Sequence, residues 1–240
     1  MNPATTNCAF QGAIHAGAFL VVFAVCMAAC LRCHVAYAED TIIDEWSEVE
    51  APERPELRPV EVDPGETALL ILDIEERTTN MERRPRAVAS VPRIKRLLEA
   101  ARAKGMCVAF STTSRGTPDD ILPEVKPAPD EPVVKSSVDK FFQTDLEQIL
   151  CDHGTRTVIV VGTAAEGAVL HTATGAAMRS FDVIVPVDGM SSSTLYAEQY
   201  VCWHLVNAPG SRRRTTLTRI DLIAISELSD KAEQSEAGDE

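Results

Sequence analysis

Positive charge is scarce in this 240-residue chain: 23 lysines and arginines stand against 36 aspartates and glutamates, a formal net charge of −13. That deficit argues against nucleic acid and anionic membrane surfaces as partners. There is no internal repeat and no nucleotide-type glycine loop, and no cofactor is expected. Cysteine is thin beyond the first stretch. Cys8, Cys26, Cys30 and Cys33 lie near the N-terminus, leaving Cys107, Cys151 and Cys202 far apart. Three cysteines without close spacing make neither a disulfide framework nor a zinc pattern. Cys107 reads as a small core hydrophobe, and one disulfide among the three stays open.

The apolar run over residues 16–31 is too short for a confident membrane span, and Ala36-Tyr37-Ala38 follows it. Ala-x-Ala is the small-residue pattern of a secretory cleavage site. Residues 1–38 are therefore expected to be a signal peptide, although no Lys or Arg precedes Arg32. The mature chain would be periplasmic or secreted, with no membrane contact after cleavage. Met27-Ala28-Ala29-Cys30 supplies a weaker alternative, a lipid anchor. Residues 39–66, acidic and carrying Pro52, Pro55, Pro59 and Pro64, read as an extended arm. Residues 67–226 form the single globular domain, and residues 227–240 read as a disordered acidic tail.

Thr157 to Val161 is an unbroken run of five β-branched residues without polar alternation. Strands buried on both faces of a parallel sheet have this pattern. Gly162 ends the strand, and Ala168, Leu170, Ala173 and Ala176 then suggest a small-residue helix packed on the sheet. Such a strand–turn–helix places backbone N–H groups at the carboxyl edge of the sheet, where ligands bind in open α/β folds.

Further strands are expected at 67–73, 106–113, 182–188 and 214–218, with helices over 91–101, 144–152 and 196–206. Thr144 and Glu147 read as a capping box. Tyr196, Tyr200 and Trp203 form a stripe expected in the core. Successive strand–helix units predict a three-layer α/β/α architecture with a mainly parallel sheet. Asp73 at a strand end is either a turn former or a general acid or base. The arginines of Arg83-Arg84-Pro85-Arg86 are either a solvated surface or a clamp for a carboxylate-bearing ligand.

The segment 162–173 reads Gly-Thr-Ala-Ala-Glu-Gly-Ala-Val-Leu-His-Thr-Ala and resembles the G-x-x-T-x-x-C-V-x-x-T-A motif of the isochorismatase-like cysteine hydrolases. That superfamily has a Rossmann-like fold and includes isochorismatases, nicotinamidases and N-carbamoylsarcosine amidohydrolases. The strand ending in Asp73-Ile74-Glu75 is similar to its Asp-x-Gln signature. Lys135, followed by Phe141 and Thr144-Asp145-Leu146, is similar to its lysine signature, with Lys140 as the second choice of cation. The resemblance covers roughly residues 67–225 and departs at one position, where the nucleophilic cysteine is replaced by Ala168.

What the resemblance implies is a site made of Asp73 and Lys135, with oxyanion-binding N–H groups at Ala168 and Ala164 and a cis bond between Thr163 and Ala164. Glu166, Phe141, Arg84 and Arg86 are candidate substrate-binding residues. Nicotinamidases bind a metal with histidines that this region lacks, so no metal is expected. A methyl group cannot act as a nucleophile, but backbone donors do not depend on the side chain. The expected function is a cysteine-independent hydrolase acting on a small amide or vinyl-ether carboxylate, with Asp73 as general acid or base. The alternative is an exported, non-catalytic small-anion-binding protein on the same fold. A homo-oligomer formed through the aromatic helix is a further expectation.

Overall fold

The computed structural model describes residues 41–228. The regions read as a signal peptide and most of the acidic tail lie outside them. The chain divides between Pro52 and Glu53. In the first unit the described residues form a 3-10 turn, Trp46–Glu48.

The second unit is built on seven strands, all paired in parallel: β2 (Thr67–Leu72), β3 (Cys107–Thr112), β4 (Val133–Lys135), β5 (Thr157–Thr163), β6 (Asp182–Pro186), β7 (Met190–Ser191) and β8 (Thr215–Thr218). Their order is β4-β3-β2-β5-β6-β8, with β7 against the end of β5. From β2 the chain moves outward one way through β3 and β4. From β5 it moves the other way through β6 and β8. The reversal leaves a crevice at the carboxyl ends of β2 and β5, the place where open α/β sheets bind ligands.

Both faces of the sheet are covered, which explains why β2 and β5 show no polar alternation. Leu70, Leu72, Val158 and Val160 face one core, closed by α2 (Leu146–Asp152), α3 (Leu170–Met178) and α4 (Leu195–Asn207). Leu69, Ile71, Ile159 and Val161 face the other, against Val91, Ile94, Leu97, Leu98 and Ala101 of α1 (Pro85–Ala103). The three-layer α/β/α expectation is met.

Two local expectations need correction, the capping box and the core stripe. The capping box on α2 does not form: Asp145 is its N-cap, the Thr144 hydroxyl accepts the Leu146 N–H at 3.3 Å, and Glu147 pairs with Arg179. The stripe on α4 is not core, since Tyr196 is 68% exposed and Tyr200 and Trp203 are 38% and 40% exposed. Val201 and Leu205, on the opposite side, are buried instead. The stretch read as an arm contains β1 (Val60–Val62), which pairs in parallel with β9 (Ile223–Ile225) outside the main sheet. All three described cysteines are free, and burial pushes the Cys107 and Cys202 thiols up to about 11. Among the described residues no helix is long and apolar enough to cross a membrane.

Candidate active site at the sheet switch point

Asp73 follows the last residue of β2 and takes a left-handed conformation, φ 53°, which aspartate tolerates better than most residues. The Thr78 hydroxyl holds this turn by donating to the Asp73 carbonyl and accepting the Glu75 N–H. Gly162 lies beside it on β5. A Cβ there would sit 2.1 Å from the Leu72 carbonyl oxygen, and its φ of +130° suits only glycine. Glycine thus permits β5 to abut β2 at the point where Asp73 emerges.

The Asp73 side chain is 94% buried, with two partners. Ser111 Oγ, from the adjacent strand β3, donates to Oδ1 at 2.7 Å, and Lys140 Nζ lies 2.8 Å from Oδ2. Burial pushes the carboxyl above the usual carboxylate range. Lys140 and Ser111 oppose that shift, and the nearby buried Glu75 adds to it. Desolvation is the largest influence, so the protonated form is favoured relative to a carboxyl in water.

The cation on Asp73 is Lys140, not Lys135. Lys135 is the last residue of edge strand β4, where alternation turns Val134 inward and leaves Lys135 exposed. Residues 136–142 then fold back, with the Ser136 hydroxyl donating to the Asp139 and Phe142 carbonyls. This return carries Lys140 inside, where its side chain is fully buried. Its Nζ also donates to the carbonyls of Thr112, Ser136 and Ser137, at 3.3, 3.2 and 2.6 Å. Thr172 on α3 accepts the Lys140 N–H at 3.2 Å. Every ammonium hydrogen has an acceptor, so the charge is fixed in place.

Across the crevice the Thr163–Ala164 peptide is cis. A π-turn over Ala165–Val169 precedes α3, a local widening often found at functional sites. The Ala164 carbonyl accepts from Gly167 N–H at 3.0 Å and Val169 N–H at 3.2 Å, passing over Ala168. Among the described residues, neither the Ala164 nor the Ala168 N–H donates to a side chain or to a backbone acceptor outside its own element. Ala168 is buried and packs in the core that holds Phe141 and Leu170.

The candidate binding residues separate. Arg84 is 91% buried, and it feels the charges of both Asp73 and Glu166. Glu166 is an exposed residue of the π-turn. Arg86 is exposed and held by both carboxylate oxygens of Glu198. Phe141 is a core side chain. It is 4% exposed, stacked on Phe181 at 6.2 Å, with the Arg179 guanidinium 4.6 Å above its ring. Its neighbour Phe142 is 59% exposed.

The isochorismatase domain model matches residues 67–215, more than half of the chain. The chain belongs to the isochorismatase-like hydrolase family. N-carbamoylsarcosine amidase from Arthrobacter sp. is 28% identical over 168 residues, which span 58% of this chain and 64% of the amidase. The chain thus matches less than two thirds of that curated relative. An isochorismatase-like hydrolase from Alkaliphilus metalliredigens superposes with a TM-score of 0.59 at 23% identity, covering 66% of this chain and 94% of that one. N-carbamoylsarcosine amidase from Thermoplasma acidophilum gives 0.57 at 22% identity, covering 65% and 97%. At these identities the solved structures establish the isochorismatase fold.

Within that fold the crevice sets a buried carboxyl against a fixed positive charge. Ser111 was missed from the sequence. The register Leu72↔Ser111, one residue before Asp73, is what brings its hydroxyl to the carboxyl, and a strand-end serine beside a strand-end aspartate is the signal that could have found it. Among the described residues, no group of three or more His, Cys, Asp or Glu side chains is placed to hold a metal ion.

Proposed function

We propose that this isochorismatase-family chain is a hydrolase of small carboxylate-bearing vinyl ethers or amides that needs no cysteine nucleophile. The buried Asp73 carboxyl carries the reading, because its raised pKa favours a proton donor. With a vinyl ether, Asp73 gives its proton to the terminal vinyl carbon and the adjacent carbon becomes an oxocarbenium ion. Water adds to that carbon and returns a proton to Asp73. The resulting hemiketal collapses to a ketone and an alcohol. Lys140 compensates the carboxylate left after proton transfer. On the amide route that follows, the Ala164 and Ala168 N–H groups hold the oxyanion that develops.

The similarity to N-carbamoylsarcosine amidase supports the amide as the second substrate type. There Asp73 takes a proton from the attacking water, the carbonyl electrons move onto oxygen, and collapse expels the amine with that proton. Both routes pass through one group. Asp73→Asn is therefore expected to remove turnover while leaving cooperative unfolding intact. Undiminished turnover in that variant would overturn the proposal.

A further inference from the structure

Four arginine and proline residues, 83–86, lead into α1, and the fold treats the three arginines differently. Arg83 is exposed and reaches the Arg77 carbonyl at 3.5 Å. Arg86 is neutralised by Glu198. Arg84 alone is drawn inside, and no carboxylate meets it there among the described ion pairs. Its Nη1 donates weakly to the Thr78 carbonyl at 3.4 Å, and its buried Nε–H has no hydrogen-bond partner among the described residues.

A buried charged donor without a partner is costly, and such groups are uncommon in native proteins. Two carboxylates, Asp73 and Glu166, lie within electrostatic reach of Arg84, and neither forms an ion pair with it. Asp73 is committed to Ser111 and Lys140. Glu166 projects from the π-turn between the two candidate oxyanion donors. The guanidinium thus lies within electrostatic reach of the proton carrier, with donor capacity to spare.

Its root is rigid. Arg84 is the N-cap of α1 and is followed by Pro85 at the first helical position. The Arg84 N–H donates to the Asn80 carbonyl at 2.9 Å, and the Arg84 carbonyl accepts from Ala87 at 2.9 Å and Val88 at 3.3 Å. A guanidinium held this way spends little conformational entropy on binding. The Nε–Nη edge of arginine matches the two oxygens of a carboxylate.

We propose that Arg84 is the anchor for the carboxylate of the substrate, and that Glu166 opposes that anion and limits the site to monocarboxylates. The anchor rests on the hydrolase reading only for its substrate; its binding chemistry stands separately. One guanidinium balances one carboxylate, while Glu166 leaves a second negative group uncompensated. The substrate class is then a small monoanion.

The test uses the full chain and a series of sodium carboxylates, formate, acetate, propionate and butyrate, against acetamide and propionamide at matched ionic strength. Wild-type protein should gain thermal stability with at least one carboxylate and with neither amide. Arg84→Met should weaken carboxylate binding roughly 10- to 100-fold, the loss of a charge-assisted pair. Arg84→Lys, which keeps the charge but not the fork, should bind with intermediate affinity. Glu166→Gln should bind more tightly than wild type and should newly accept malonate. These two variants carry the test if Arg84→Met does not fold. Equal response to carboxylates and amides, or an unchanged response in Arg84→Lys together with Glu166→Gln, would overturn the anchor. Turnover in Asp73→Asn is read separately, so the hydrolase mechanism and the anchor can fail independently.

Discussion

Lys140–Asp73 and Arg179–Glu147 are both separated by 2.8 Å, yet they belong to different regimes. The first lies in the crevice between β2 and β5, with side chains 0% and 6% exposed. The second joins the outer surfaces of α3 and α2, with side chains 30% and 55% exposed. Around the outer pair, water screens the charges and supplies alternative partners. Around the inner pair, three backbone carbonyls and a serine hydroxyl do what water would do. Distance therefore says little about the importance of an ion pair here; the surroundings decide it.

The largest effect should come from Lys140→Met. Removing one partner of a buried pair leaves the other without compensation, at a cost of about 3–5 kcal/mol. Urea unfolding of the full chain would show this, and a loss below about 1 kcal/mol would erase the contrast with surface pairs.

Asp73→Asn comes next, with turnover expected to fall roughly 10²- to 10⁴-fold, the contribution of a positioned acid or base. The pH dependence of the wild type sharpens this prediction. Because burial raises the Asp73 pKa, the folded chain holds that proton more tightly than the unfolded chain. The stability Asp73 contributes is therefore greatest below the ordinary carboxylate value of about 3.9. It declines as pH rises from there to the raised folded value, and is flat above. Vinyl-ether turnover should fall through the same upper value, whereas amide turnover with Asp73 as base would rise through it. Asp73→Asn should remove both dependences, measured as the difference between variant and wild-type profiles.

Smaller effects belong to the exposed partners. Lys135→Ala should change stability by no more than about 0.5 kcal/mol and leave turnover unaltered. A large kinetic loss in that variant would move the functional cation back to the end of β4. Glu147→Gln should cost about 0.2–1 kcal/mol in a urea titration, and less at high salt.

Ala164 and Ala168 were named only through the family resemblance, whereas the places of Asp73 and Gly162 were legible in the sequence because each closes a strongly patterned buried strand. The lysine was not. Lys135 and Lys140 flank one short turn, and the choice between them depends on how residues 136–142 fold back against α3. Gly175 permits that close packing: a Cβ there would lie 3.0 Å from Asp139 Oδ1 and 3.3 Å from the Phe141 ring. No pattern within 135–146 records a contact made by residue 175. The same limit applied to Phe141, whose place was set by Phe181 and Arg179. Periodicity found the stripe on α4, but an apolar stripe does not announce which side of the helix is covered.

Strands β1 and β9 lie at opposite ends of the second unit in sequence and run parallel to one another. Ser226 donates to the Val62 carbonyl through its N–H at 3.0 Å and its hydroxyl at 3.2 Å. A pull applied from the residues before β1 and after β9 would draw the two strands past each other along their length. The cross-links of such a pair are loaded together rather than one after another. This short clasp would thus resist stretching in shear, giving the hydrolase domain a direction of mechanical strength.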